Sequence, residues 1–307
     1  MAADSLLLLG AGGQLGQELL PRLQKAGYAV TALGRQQLDV SDLQAVRGVL
    51  QTLKPRWIVN AAAYTAVDKA EQEVQLAQTI NAELPALLAQ EALHSDAALL
   101  HYSTDYVFNG RAQRPYLETD PTDPLSVYGR SKRDGELAVQ AVGSRHVVLR
   151  TSWVFGAQGQ NFLKTMLRLA AERDTLRVVA DQTGVPTPAD WLADTSLLVM
   201  QACEQQGVNG LFHASPSGQT TWHAYAQHLI AQASGLGWAL KTTPASVQAI
   251  TTAQYPLPAA RPAYGLLDNS ALMGVLQRPW PTWQQGVDRV LGQLQLHNRG
   301  AMSTPPG

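Results

Sequence analysis

Tyr128 and Lys132, in the stretch Ser126-Val-Tyr-Gly-Arg-Ser-Lys132, stand four residues apart. On a helix that spacing puts both side chains on one face, a turn apart. A lone phenol ionises near pH 10 and is a weak acid–base group at neutral pH. An ammonium beside it favours the phenolate and draws that value down toward the working range. Thr104, inside His101-Tyr-Ser-Thr-Asp-Tyr-Val-Phe108, offers a hydroxyl that can fix a substrate carbonyl oxygen, and Asp105 follows it. Together these residues suit proton transfer to an oxygen during carbonyl reduction, with no metal required. A Tyr-x-x-x-Lys pair by itself is usually a solvated surface pair, so the chemistry depends on a nucleotide site elsewhere in the chain.

That site is readable at the N-terminal end. Gly10-Ala-Gly-Gly13-Gln14-Leu15-Gly16 follows an apolar run and precedes a helical pattern. Glycine there permits a tight turn and close backbone approach to a pyrophosphate, while a helix N-terminus offers free N–H groups. The spacing is GxxGxxG rather than GxGxxG. After the second strand an acidic residue would bind a ribose 2′-hydroxyl, whereas an arginine accommodates a 2′-phosphate. Here the strand ends Leu33-Gly34-Arg35 with no carboxylate, which predicts NADPH in preference to NADH. Asp39 and Val40 can reach an adenine ring, and the small residues of Asn60-Ala61-Ala62-Ala63, ahead of Tyr64 and Thr65, leave room for a cofactor.

Short apolar runs alternating with helical patterns predict an α/β fold, a Rossmann-type doubly wound parallel sheet. Strands are expected at Ser5–Leu9, Tyr28–Leu33, Trp57–Asn60, Ala98–Ser103, Val147–Trp153 and Gly210–Ala214. Helices are expected near 15–26, 43–53 and 73–94, with a further one carrying Tyr128 and Lys132. In open sheets of this kind ligands bind beyond the carboxyl ends of the strands, where Thr104 and Asp105 would lie. Residues 1–155 plus about 189–216 form the expected nucleotide domain. A smaller, less regular C-terminal lobe takes about 156–188 plus 217–296, and 297–307 reads as a disordered tail.

The bulk numbers exclude little but point one way. In 307 residues, 23 basic side chains face 24 acidic ones, which gives no electrostatic case for nucleic acid or a membrane surface. Cys203 is the only cysteine, so no internal disulfide forms and a reducing, cytoplasmic setting is expected. No apolar run approaches membrane-spanning length.

The glycine turn, Thr104 and the Tyr128–Lys132 pair resemble the extended short-chain dehydrogenase/reductases. Val59-Asn-Ala-Ala-Ala-Tyr-Thr-Ala-Val-Asp-Lys-Ala-Glu71, the His101–Phe108 block, Arg150-Thr-Ser-Trp-Val154 and Asn161-Phe-Leu-Lys-Thr-Met-Leu-Arg168 narrow the likeness to the dTDP-4-dehydrorhamnose reductases. The resemblance runs over about residues 5–295 and implies reduction of a dTDP-4-keto sugar for cell-surface glycans. It implies Tyr128 as proton donor, Lys132 as cofactor-binding lysine, and Thr104, Asp105 and Trp153 facing the sugar. Gly13, Gln14, Leu15, Asp39, Val40, Ala63, Tyr64, Thr65 and Tyr102 match cofactor contacts, and Arg261, in Ala260-Arg-Pro262, is a candidate for the diphosphate. The departure is at Gly34-Arg35, where some members carry an acid. Some members also bind a divalent cation at a dimer interface. Glu18 and Asp190 stand at matching positions without an acidic third partner, so no metal is expected, and a homodimer is left open. A nucleotide-sugar epimerase or dehydratase, and a non-catalytic NADP-binding subunit, stay open as rivals.

Overall fold

Leu6 to Leu9 carry no polar side chain on either face, and the structure buries all four inside a six-stranded parallel sheet. The computed structural model describes residues 4–302. Across the sheet the strands run Ala29–Leu33, Ser5–Leu9, Trp57–Asn60, Ala98–Thr104, Arg145–Thr151 and Gly210–His213, every neighbour parallel. The chain steps from Ser5–Leu9 to one side and returns on the other at Trp57, so the crevice between these two strands is the switch point where ligands bind. Residues Arg35 to Asp42 form turns rather than a further edge strand, so this is the 2-1-3-4-5 order of doubly wound sheets, extended by one strand.

Period-two alternation divides the strand residues between two cores. Leu6, Leu8 and Leu100 pack with Leu19, Leu23 and Met200 on one face. Leu7, Leu9 and Leu99 pack with Leu50, Leu84 and Leu88 on the other. Each such leucine contributes about 1.5–3 kcal/mol by burial. A third core joins Phe155, Leu163, Met166 and Leu176 to Tyr225, Leu229, Trp283 and Leu291. Its elements are the helices Phe162–Glu172, Trp222–Gly235 and Trp283–Met302, with a parallel pair of short strands, Leu176–Val179 and Val247–Ile250.

Four expectations shift. The stretch 73–94 is broken into Val74–Gln78, a π-helical turn at Thr79–Glu83, and Leu84–Ser95. The fifth strand begins at Arg145 and ends at Thr151, so Trp153 sits beyond it with φ +44°. The last helix continues to Met302, into the stretch expected to be a disordered tail, because apolar Val287, Val290 and Leu291 keep its earlier turns on the core. Residues 303–307 of that tail lie outside the described residues. The C-terminal part is also more regular than its glycine and proline content suggests. Among the described residues no helix is long and apolar enough to cross a membrane.

Candidate active site

The helix Val127–Val142 begins where Ser126 accepts a hydrogen bond from Gly129 N at 3.1 Å, and it stops at Gly143 with φ +70°. Two of its glycines set its position. A Cβ on Gly129 would fall 2.3 Å from the Tyr106 carbonyl, and one on Gly135 would fall 2.1 Å from the Asn81 carbonyl. The helix therefore lies hard against both the turn after Thr104 and the π-helical turn. Asn81 there accepts from Tyr64 N and donates to Ser131 on the Tyr128 helix, 3.0 Å. Tyr128 is brought edge-on to Tyr106, with ring centroids 5.5 Å apart.

Thr104 lies at the carboxyl end of its strand, two residues before the Tyr106 ring that abuts Tyr128. Its hydroxyl donates to Asp105 at 3.1 Å and accepts from Tyr106 N. Asp105 is 2% exposed, and burial pushes its carboxyl up to about 7 despite the Thr104 hydrogen bond. Tyr128 is pushed up to about 12, chiefly by burial, with Thr104 lowering it and the Asp105 charge raising it. This corrects the expectation that the neighbouring lysine draws the phenol down. Lys132 points into the sheet instead, donating to the Tyr102 carbonyl at 2.6 Å and meeting His101 Nε2 at 3.4 Å. Burial lowers its ammonium to about 8, with Glu136 acting against the fall. His101 is held neutral by burial and by that lysine, and its Nδ1 faces Asn60 Nδ2 at 3.1 Å.

At the switch point, the glycine turn meets its own requirements. Gly10 has φ +78°, and a Cβ there would lie 2.6 Å from the Ala61 and Ala62 backbone. A Cβ on Gly16 would lie 2.2 Å from the Gly10 carbonyl. Gly13 caps the helix Gln14–Lys25 with no side chain on its free N–H groups, which suits a phosphate. Arg35 is exposed beside Gly34, whose N–H is held by Gln37 at 3.0 Å. Asp39 accepts from Ser41, and Val40 and Ala62–Tyr64 are partly buried along the same crevice edge, with Thr65 exposed. The cradle fits a dinucleotide. Among the other expected contacts, Tyr102 donates its hydroxyl to Ser196 at 2.7 Å, Gln14 accepts from Asn161, and Leu15 packs on the core.

A cavity of about 1110 Å³ opens between the C-terminal elements and Tyr106. Its lining includes Phe162, Trp222 and Tyr255, and three arginines, Arg173, Arg177 and Arg261, against one acid, Asp174. That balance favours an anionic ligand with an aromatic ring. Trp153 stacks on Trp222 at 3.6 Å and is held by the close approach of Gly184. Arg261 is engaged by Asp68. The two acids considered for a cation are both in ion pairs: Glu18 with Arg22, which also holds Asp194, and Asp190 with Arg289. Among the described residues no group of three or more potential ligands is placed to hold a metal ion.

The structure thus brings Thr104, Asp105 and Tyr128 together, turns Lys132 to the Tyr102 carbonyl, keeps the glycine turn at the switch point, and puts Trp153 behind the cavity wall. Asn60, His101 and Asp68 stood in quoted stretches without a role of their own, and Asn81 and Trp222 escaped the sequence reading. Gly135, two turns beyond Tyr128, was the available sign of a close neighbour such as Asn81; Trp222 left no periodic sign.

The RmlD substrate binding domain model matches residues 4–296. The dTDP-4-dehydrorhamnose reductase of Salmonella typhimurium is 42% identical over 94% of this chain and 98% of its own. The crystal structure of dTDP-4-dehydrorhamnose reductase from Bacillus anthracis in complex with NADP superposes with TM-score 0.86 at 33% identity, covering 95% of this chain and 99% of that one. UDP-glucose 4-epimerase from Thermus thermophilus shares the fold at TM-score 0.76 and 18% identity, over 95% of this chain and 99% of its own.

Proposed function

The chain belongs to the dTDP-4-dehydrorhamnose reductase family, and on that premise we propose that it reduces the C4 keto group of dTDP-4-dehydro-L-rhamnose to dTDP-L-rhamnose. It is an NADPH-dependent oxidoreductase of the short-chain type, and NADPH, when bound, supplies the hydride. The observation that carries the reading is Tyr128 set edge-on to Tyr106, two residues after Thr104 at the carboxyl end of the sheet, with a glycine cradle suited to a dinucleotide at the switch point.

In this reading Thr104 donates to the keto oxygen and fixes its direction. Tyr128, kept protonated by burial, gives its phenolic proton to the C4 oxygen as negative charge grows there. Asp105 accepts from sugar hydroxyls, and Trp153 backs the sugar face. Lys132 holds the nicotinamide ribose, the glycine turn holds the pyrophosphate, and Arg35 pairs with the 2′-phosphate through its planar fork. The arginine-rich cavity takes the nucleoside diphosphate, with Arg261 at its edge. The division into a cofactor part, 1–155 with about 189–216, and a substrate lobe, 156–188 with 217–296, belongs to the same reading. So do a cytoplasmic setting, in keeping with the single Cys203, and a homodimer, in keeping with the exposed Leu296 on the last helix.

The test is substrate-dependent NADPH oxidation. Tyr128→Phe should lower kcat by about 10²–10⁴ while NADPH affinity stays within about twofold. A variant that kept its rate would remove Tyr128 as the acid.

A further inference from the structure

Residues 259–268 cross from the C-terminal lobe over the catalytic turn and are stitched down along most of their length. Ala263 accepts from Thr183 N and Gly265 donates to Thr183 O, each at 2.8 Å. Leu266 and Asp268 pair with the Tyr116 backbone, also at 2.8 Å. A Cβ on Gly265 would fall 2.5 Å from an Asp105 carboxylate oxygen. Before this strap the chain from Thr251 to Pro258 is exposed, and Ala259 is where it becomes buried again.

At that point the contacts go to one side chain on the other half of the molecule. Asp68 accepts from Ala259 N at 3.1 Å, from Arg261 Nη1 at 3.1 Å and from Arg261 Nη2 at 2.8 Å. Arg261 Nη1 also donates to the Ala259 carbonyl at 2.8 Å, which closes the ring. Asp68 sits on the short helix Val67–Ala70, just after Tyr64 and Thr65 on the cofactor side. Arg261 lines the large cavity next to Tyr106, whose ring abuts Tyr128. A flexible arginine held by a bidentate carboxylate keeps one geometry, and a pre-ordered cation binds an anion without the loss of side-chain freedom. Arg261 in turn holds the Asp68 carboxyl below its ordinary value, so the pair is ionised across the neutral range.

We propose that Asp68 is a positioning residue for the substrate: it never touches the nucleotide sugar, but through Arg261 it fixes a cation at the cavity edge for the diphosphate and pins the strap across the cleft. This rests on the reductase reading given above. Three of the five guanidinium N–H donors go to Asp68 and Ala259; of the two that remain, one serves Tyr106 and one is left to engage a phosphate oxygen.

The experiment compares full-length wild type with Asp68→Asn, Asp68→Glu, Arg261→Ala and the Asp68→Asn/Arg261→Ala pair. Asp68→Asn should raise KM for the sugar nucleotide about tenfold or more, with kcat changed less than about threefold and NADPH Kd unchanged. Asp68→Glu, which keeps the charge and folds with least disturbance, should recover most of that loss. The double variant should be no worse than Arg261→Ala. An unchanged KM in Asp68→Asn, or effects that multiply in the double variant, would overturn the proposal. Calorimetric Kd values for dTDP on the same proteins give the comparison without turnover: the same order supports the clasp, and equal affinities, or no dTDP binding to wild type, reject it. Absence of NADPH oxidation by a wild type that binds dTDP would count against the reductase reading alone.

Discussion

Glu136 lies one helical turn beyond Lys132 and forms a bidentate pair with Arg150, at 2.9 and 2.7 Å. The two side chains are 2% and 5% exposed. Glu136→Gln removes the carboxylate charge and leaves the Arg150 guanidinium buried over the Phe108 ring and beside neutral His213. Stranding one member of such a pair costs about 3–5 kcal/mol, against a total stability of about 5–15 kcal/mol. With about 2.1 cal/mol/K of unfolding entropy per residue over 307 residues, the melting temperature should fall by about 5–8 °C. A second effect is electrostatic. Glu136 opposes the burial that lowers Lys132, so its loss takes the ammonium below about 8. If the charged lysine supports turnover, the alkaline limb of the kcat profile moves to lower pH. Calorimetric melting and pH–rate profiles read the two effects separately. The Glu136→Leu/Arg150→Met variant should recover most of the melting temperature, because no charge is left unpaired, while its alkaline limb stays displaced. An unchanged melting temperature, or a limb that stays put in both variants, would refute the argument.

Lys132→Met should abolish turnover and yet raise the melting temperature of the cofactor-free protein by a few degrees at pH 7. The folded-state pKa of Lys132 is lowered, so the cost of its buried charge is fully present below about pH 8 and fades as pH rises toward the unfolded value of 10.5. The gain over wild type should therefore shrink in alkaline buffer, and a gain that grew instead would reverse the sign. Arg35→Ala should reduce the NADPH-over-NADH ratio of kcat/KM by about tenfold or more with little change for NADH; an unchanged ratio would remove Arg35 from the 2′-phosphate.

The sheet was legible because buried parallel strands carry apolar side chains on both faces, as Leu6–Leu9 and Ala98–Leu100 do. The glycine turn was legible because only glycine fits where Gly10 meets the backbone of Ala61 and Ala62. The Tyr128–Lys132 spacing placed both residues on one helix, but spacing says nothing about where a long side chain ends. Lys132 turned to a strand carbonyl, a preference that exists only once Tyr102 is in place. The C-terminal lobe was harder to read, since its short strands Leu176–Val179 and Val247–Ile250 pair across a long separation and neither declares itself alone. Asp68 had been quoted within a matching block, yet nothing local foretells a partner 193 residues away.

The raised phenol and lowered lysine fit reduction better than the arrangement first expected. A proton donor to a forming alkoxide must be neutral before the step, and a tyrosine near 12 is neutral throughout the physiological range. A phenol drawn down by an adjacent ammonium would be partly ionised and useless to part of the enzyme population. What the step needs is help that grows only as the proton leaves. Thr104, which lowers the Tyr128 value by hydrogen bonding, has one proton to donate, and in this step it goes to the keto oxygen rather than to the phenolate. The buried Asp105 works in the opposite sense, since its charge raises Tyr128. With Asp105 itself titrating near 7, its protonation below that pH relieves the repulsion and eases loss of the phenolic proton. The catalytic turn therefore holds the acid neutral at rest through burial, and the protonation state of Asp105 sets the charge that the phenol meets as its proton moves to the sugar.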